Sequence, residues 1–386
     1  MSAIRTSSMG AAILLVACSS PPPAPPPPGP PLAPAVSTEE ADRPAVPGAA
    51  PAVEATIAVE PDGPCEPVAA TAGLLVDSSG ASVPPLSRIV LIGPRWVAGG
   101  PEMGGLLTFA GDLGDVTPVV SGSDDLVVGG PAIHVFDATS AEVGHRVLDD
   151  RGVETTGRRV VAPLSAPAPP AFAVASGPAG GVAAWTEGSR IRAIGFDGAG
   201  TPGAPLDVPG DASALVAAAA DDGRLALVWN GSFEGGAALY GAVGTKAGFV
   251  DPPVPIVRTV VPRELQRLVP TASGFVLLLA GQEHVEVLPL DAKSAFRPPL
   301  VQYAGMRAGW DLVSRGDRIL VAATKSDRTP VVRLLDERGR PRSPWRCLSS
   351  QSGEPVGVAR TPTGYGVTFR DPSDRQRFVL LDESAR

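Results

Sequence analysis

The sequence predicts an all-β fold built from a repeated unit, and three observations carry that prediction. Apolar runs are short and are cut by Gly, Pro, Asp or Ser at nearly every boundary. A strand-into-turn pattern returns at an interval of about 46 residues. No stretch shows the periodicity of an amphipathic helix.

Composition sets the limits. Among 386 residues there are 45 glycines and 44 prolines, yet hydrophobic residues still reach 44%, so material for a core coexists with many turn-formers. A formal net charge of -8 disfavours attraction to nucleic acid across the whole surface. Three cysteines and three histidines leave little stock for metal clusters or a Cys/His catalytic centre.

At the N-terminus Arg5 precedes an apolar run from Met9 to Val16, the order of charge then hydrophobe found in an export signal. The run is too short to span a bilayer. It ends in Leu15-Val16-Ala17-Cys18, which resembles the lipobox of bacterial lipoproteins. That resemblance implies a signal peptide over 1–17, lipidation of Cys18 and attachment to the cell envelope through a lipid anchor. Ser19 stands where the family's inner-membrane retention signal typically has aspartate, which implies an outer-membrane destination in an organism that has one. An ordinary cleaved signal with a coincidental cysteine is the plainer alternative.

Ten of the fourteen residues from Pro21 to Pro34 are proline, so this stretch reads as a semi-rigid polyproline stalk. Residues 35–52 carry Glu39, Glu40 and Asp42 and have little to bury, and they continue the tether, making 18–52 one linker. The folded part is expected over 53–386.

Within it, short apolar runs end at Asp149, Asp197, Asp291, Asp336 and Asp382, with a degenerate member at Tyr240 to Gly244. Counted through Gly244, the intervals are 48, 47, 47, 45 and 46 residues. Three members continue as Asp-x-x-Gly (149–152, 197–200, 336–339), where aspartate caps a tight turn and glycine accepts positive φ. A second marker keeps the same beat at Phe136, Trp185, Trp229, Leu279, Ala323 and Phe369. A helix-free unit of this length, holding several strands, is similar to the blades of β-propeller repeat proteins. The resemblance covers about 53–386 and implies a single propeller, with seven blades favoured and six or eight open. Phe109 to Asp112 would be an irregular first member. The last repeat stops just after its third strand, so an N-terminal strand is needed to close the ring, and Ala55 to Val59 is the segment expected to do it.

With Cys18 assigned to lipid, Cys65 and Cys347 remain, and in an exported chain a disulfide between them is the economical reading. No G-x-S-x-G elbow, P-loop, H-E-x-x-H pair or complete calcium loop occurs, and neither the sialidase Asp box nor the quinoprotein repeat is matched. No catalytic, cofactor-binding or metal-binding residue is therefore predicted. His134, Glu142 and His145 can be assembled into a metal site on paper, but His134 reads as a strand residue. Trp185 and Trp229 read as packing between blades, and Trp345 as a cover for the cysteine pair. Trp96 and Trp310 fall outside the repeat phase and are the two candidates for a binding surface. Between Arg315 and Arg346 nine Lys or Arg face four Asp or Glu, read mainly as solvated strands and turns.

Two functions follow as expectations. The first is a membrane-tethered, non-catalytic binding or scaffold module with a protein or glycan partner. The alternative is an exported hydrolase or lyase acting on glycans. An enzyme should show two or more non-repeating carboxylates converging at the central channel, and a scaffold should show small or apolar residues there.

Overall fold

The computed structural model describes residues 58–60, 65–68, 73–74, 88–100, 105–110, 117–121, 126–128, 132–138, 141–164, 171–233, 236–249, 254–259, 264–280, 284–291, 301–304, 306–349, 352–373 and 375–385. Cys18, the signal segment and the proline stalk lie outside them. Among the described residues every regular element is a β-strand, and the strands form seven sheets of four or five. In chain order these blades span 88–121, 126–163, 172–209, 214–259, 264–304, 306–347 and 354–382. Contacts run from each blade to the next and from the seventh back to the first, mostly through the first strands, so the sheets form a closed ring. This is a β-propeller.

Each blade is a meander in which the middle strands are covered on both faces. Gly180–Glu187, Gly274–Ala280 and Pro330–Asp336 are buried along their whole length, which explains their nearly unbroken apolar sequences. Outer strands differ. Glu154–Pro163 is largely exposed, and Pro202–Pro209 carries three prolines that blunt a free edge. The second-strand marker is uniform: Phe136, Trp185, Trp229, Leu279, Ala323 and Phe369 all lie on second strands and are at most 2% exposed.

The aspartate repeat is turn chemistry. Asp149, Asp197 and Asp336 each accept, on one carboxylate oxygen, the backbone N–H groups two and four residues on. The fourth residue of each turn, Gly152, Gly200 or Gly339, has positive φ. A carboxylate oxygen that accepts two amides shapes the link from third to fourth strand, and the same device serves each of these blades.

Closure differs from the sequence expectation in one respect. The seventh blade has three strands of its own, Glu354–Arg360, Gly364–Arg370 and Gln376–Asp382, and its fourth is Gly73–Leu74, antiparallel with Gly73 opposite Phe378. Ile57 was expected to lie there; it is outside the described residues, and the adjoining strand Ala58–Glu60 pairs in parallel with Val301–Tyr303 of the fifth blade. The fifth blade already has a fourth strand, so this segment can only add as a fifth. Between them Glu66–Pro67 adds in parallel to Arg346–Cys347 of the sixth blade. The N-terminal segment is thus a belt across blades five, six and seven, and the closing strand is the part nearest in sequence to the first blade.

The belt is fastened by the Cys65–Cys347 disulfide, with Cα atoms 5.4 Å apart and a sequence separation of 282. Trp345 is 5% exposed, meets Tyr303 edge-on at 5.4 Å, and belongs to the apolar cluster against which Cys65 packs. Arg333 lies over both rings. Both cysteines should resist alkylation until reductant is added, and Cys347→Ser should lower unfolding free energy by roughly 2–5 kcal/mol. Mass spectrometry after alkylation and urea denaturation with and without reductant check this; thiols that alkylate freely in the oxidised protein contradict it.

Candidate functional site

The first strands of the blades line a cavity of about 220 Å³ around the ring axis. Its wall is mostly small or apolar, drawn from Ile89, Val174, Ala217 to Ala219, Leu268, Val269, Val313 and Val358. Three charged residues interrupt it: Asp221, Arg267 and Arg360.

Arg360 ends the first strand of the seventh blade, and Asp221 follows the first strand of the fourth. These blades are not neighbours, yet the guanidinium of Arg360 donates two hydrogen bonds to the Asp221 carboxylate, at 3.1 and 3.3 Å. The pair therefore reaches across the channel. Its side chains are 46% and 61% exposed, so water and salt screen it and its effect on stability is under about 1 kcal/mol.

Further along the wall Arg267, on the fifth blade, places Nε 3.4 Å from Oδ1 of Asp311 on the sixth. Asp311 is 5% exposed and also accepts the backbone N–H groups of Leu312 and, from the seventh blade, Val358, both at 2.9 Å. One carboxylate thus ties three blades. Asp221 and Asp311 are each held by an arginine, unlike a pair of carboxylates converging on a substrate. Sequence reasoning missed all four of these residues. The signal was present: each stands in or beside a first strand, and Ala214–Ala219 and Glu354–Arg360 are otherwise built largely from small or apolar residues.

Trp96 is corrected. It is 2% exposed, meets Phe378 of the seventh blade edge-on at 4.8 Å, and lies so close to Gly366 that a Cβ there would clash with its ring. It packs the joint between first and last blades and offers no surface to a ligand. Trp310 lies in a strand whose pairing slips between Arg307 and Asp311, and its side chain is outside the described residues. Trp185 and Trp229 are buried, stacked on Phe172 and Tyr240. In the arginine-rich sixth blade, Arg315 pairs with Glu383, Arg340 with Asp336, Arg342 with Asp317 and Arg346 with Glu66.

His134 and His145 are each 1% exposed, with Nδ1 of the first 3.2 Å from Nε2 of the second. Glu142 does not join them; it pairs with Arg158. Among the described residues no group of three or more His, Cys, Asp or Glu is placed to hold a metal ion. The two rings instead pack against Phe136 and, from the third blade, Phe196, and a Cβ on Gly200 would lie 2.9 Å from both. Burial pushes both imidazoles down from 6.5 to about 4, and for His145 the neighbouring His134 and Arg159 add to it.

With folded values below the unfolded one, the pair stabilises fully above pH 6.5, and that contribution is lost as pH falls from 6.5 to about 4. The carboxylates held below 3.8, such as Asp197 and Asp371, act in a lower window. Unfolding free energy should therefore fall between pH 7 and pH 4.5 by on the order of 1–3 kcal/mol. The double variant His134→Leu/His145→Leu should flatten that slope. Denaturant midpoints at the two pH values measure it, and a slope unchanged in the double variant contradicts it.

By fold, then, the chain is a β-propeller protein with a narrow axial channel. Comparison with solved structures agrees. The β-propeller domain of Cps50 (Swd1) from Myceliophteria thermophila aligns over 80% of this chain and 99% of its own, with TM-score 0.51 and 11% identity. A chain of the mitotic checkpoint complex aligns over 83% of this chain and 97% of its own, with TM-score 0.51 and 10% identity. A prolyl endopeptidase aligns with TM-score 0.49 and 11% identity, and this chain spans 47% of its length. No protein-family model and no curated protein matches the chain.

Proposed function

We propose that this protein is a lipid-anchored, non-catalytic β-propeller that acts as a binding or scaffold module at the cell envelope, on the outer membrane where one exists. The observation that carries the reading is the order of features in the first 34 residues: a charged start, an apolar run, Leu-Val-Ala-Cys at 15–18 and a proline stalk. Acyl chains on Cys18 would anchor the chain without a transmembrane helix, since each buried methylene contributes about 0.8 kcal/mol. The stalk would hold the propeller away from the lipid surface. Binding is favoured over glycan cleavage because, among the described residues, Asp221 at the cavity and Asp311 beside it are each engaged by an arginine, whereas glycoside hydrolysis needs one carboxyl free to give a proton and one free to attack or to activate water. The partner is a protein or glycan that meets the rigid loop surfaces of the ring.

Cys18→Ala should move the protein from the membrane fraction to a soluble or unprocessed form, with loss of the acyl mass. Fractionation and intact-mass measurement read this; unchanged partition and mass defeat the anchor. Capture from the native envelope with the lipidated protein identifies the partner, and turnover of glycan with no partner retained would favour the hydrolase instead.

A further inference from the structure

We infer that the axial channel is a binding site for a small carboxylate with an apolar body, its carboxylate held by Arg267. The inference goes beyond the anchor and scaffold reading and does not depend on the tether.

Arg267 is a cation in a largely apolar wall. Its side chain is 32% exposed, it lines the cavity, and its Nε is buried without a hydrogen-bond acceptor. Among the described residues its charged contact is Asp311 Oδ1, 3.4 Å from Nε, and the two oxygens of Asp311 also accept the N–H groups of Leu312 and Val358. A guanidinium presents parallel donors that match the two oxygens of one carboxylate, and the contact with Asp311, made at the buried Nε, leaves the Nη1–Nη2 edge for a second acceptor. A carboxylate entering from the channel can be that acceptor. The Asp221–Arg360 pair shows the match already made once at this channel.

The cavity sets the rest of the ligand. Its volume, about 220 Å³, is below the roughly 300–1,000 Å³ of pockets that take drug-sized molecules, so the ligand is small. The wall of Ala, Val, Leu and Ile asks for an apolar body beyond the charged group. Arg360 and Asp221 span the channel and must part or tilt to admit it.

Phenylacetate titrated into the full chain by calorimetry tests this, with phenylacetamide as the neutral isostere. The acid should bind about tenfold or more tightly than the amide, because only the acid makes charge-assisted hydrogen bonds. Arg267→Gln should abolish that preference, and its melting temperature reads separately what loss of the Asp311 contact costs the fold. Arg267→Lys, which keeps the charge and loses the fork, should fall between the two and guards against a misfolded glutamine variant. Asp221→Asn, which loosens the bridge across the channel, should leave the preference in place and speed association. Equal affinity for acid and amide in the wild type, an undiminished preference in both Arg267 variants, or no binding of the acid up to about 10 mM each overturns the inference. None of these outcomes bears on membrane attachment, which the Cys18→Ala fractionation reads separately.

Discussion

A blade of four strands has two apolar faces and can bury them only against its neighbours, so the stability of every blade here depends on the ring being closed. Closure is demanding because the seventh blade takes its fourth strand, Gly73–Leu74, from the segment that precedes the first blade. The missing strand pairs through two residues, Gly73 and Leu74. Ordering a residue costs about 1–2 kcal/mol of backbone entropy, which so short a ladder does not offset by itself. The belt upstream supplies the difference. It is held to the fifth blade at Ala58–Glu60, and to the sixth by Glu66–Pro67 and by a covalent bond at Cys65. With those points fixed, the closing strand has little freedom left to lose. Trp96 completes the joint from the other side, its ring wedged between Gly366 and Phe378.

The parts of this design that were legible in the sequence are those repeated from blade to blade. Asp149, Asp197 and Asp336 recur because each third-to-fourth turn solves the same hydrogen-bond problem, and a repeated solution leaves a period. Trp185, Trp229 and Phe369 recur because each second strand is covered on both faces. The cysteine pair was legible for another reason: elimination left two candidates, and closure brings the two ends of the propeller together.

What was not legible occurs once. The closing strand has no periodic partner, and Gly73–Leu74 looks no more strand-like than Ala55 to Val59; the choice is made by which segment lies next to the first blade and by which blades already have four strands. Trp96 fell outside the repeat phase for the reason that makes it important. It packs the first blade against the three strands of the seventh that come from the opposite end of the propeller sequence. Being out of phase marked it as different, and burial shows that the difference is packing.

The channel charges follow the same logic at the scale of single residues. A first strand faces the axis, where seven strands converge and bulky side chains would collide, so Ala, Val and Ser are what the geometry allows. An arginine there is costly to desolvate and is retained only with a partner. Arg360 has a bidentate one in Asp221. Arg267 meets Asp311 at Nε, so its charge is balanced while its Nη1–Nη2 edge is left for another acceptor. Arg267 is therefore charge-compensated but unmatched in hydrogen bonding, and it stands at the wall of a cavity large enough for a small molecule. What sets Arg267 apart from the chain's other loosely paired arginines is its place on the cavity wall, and that placement is the ground for inferring an anion there.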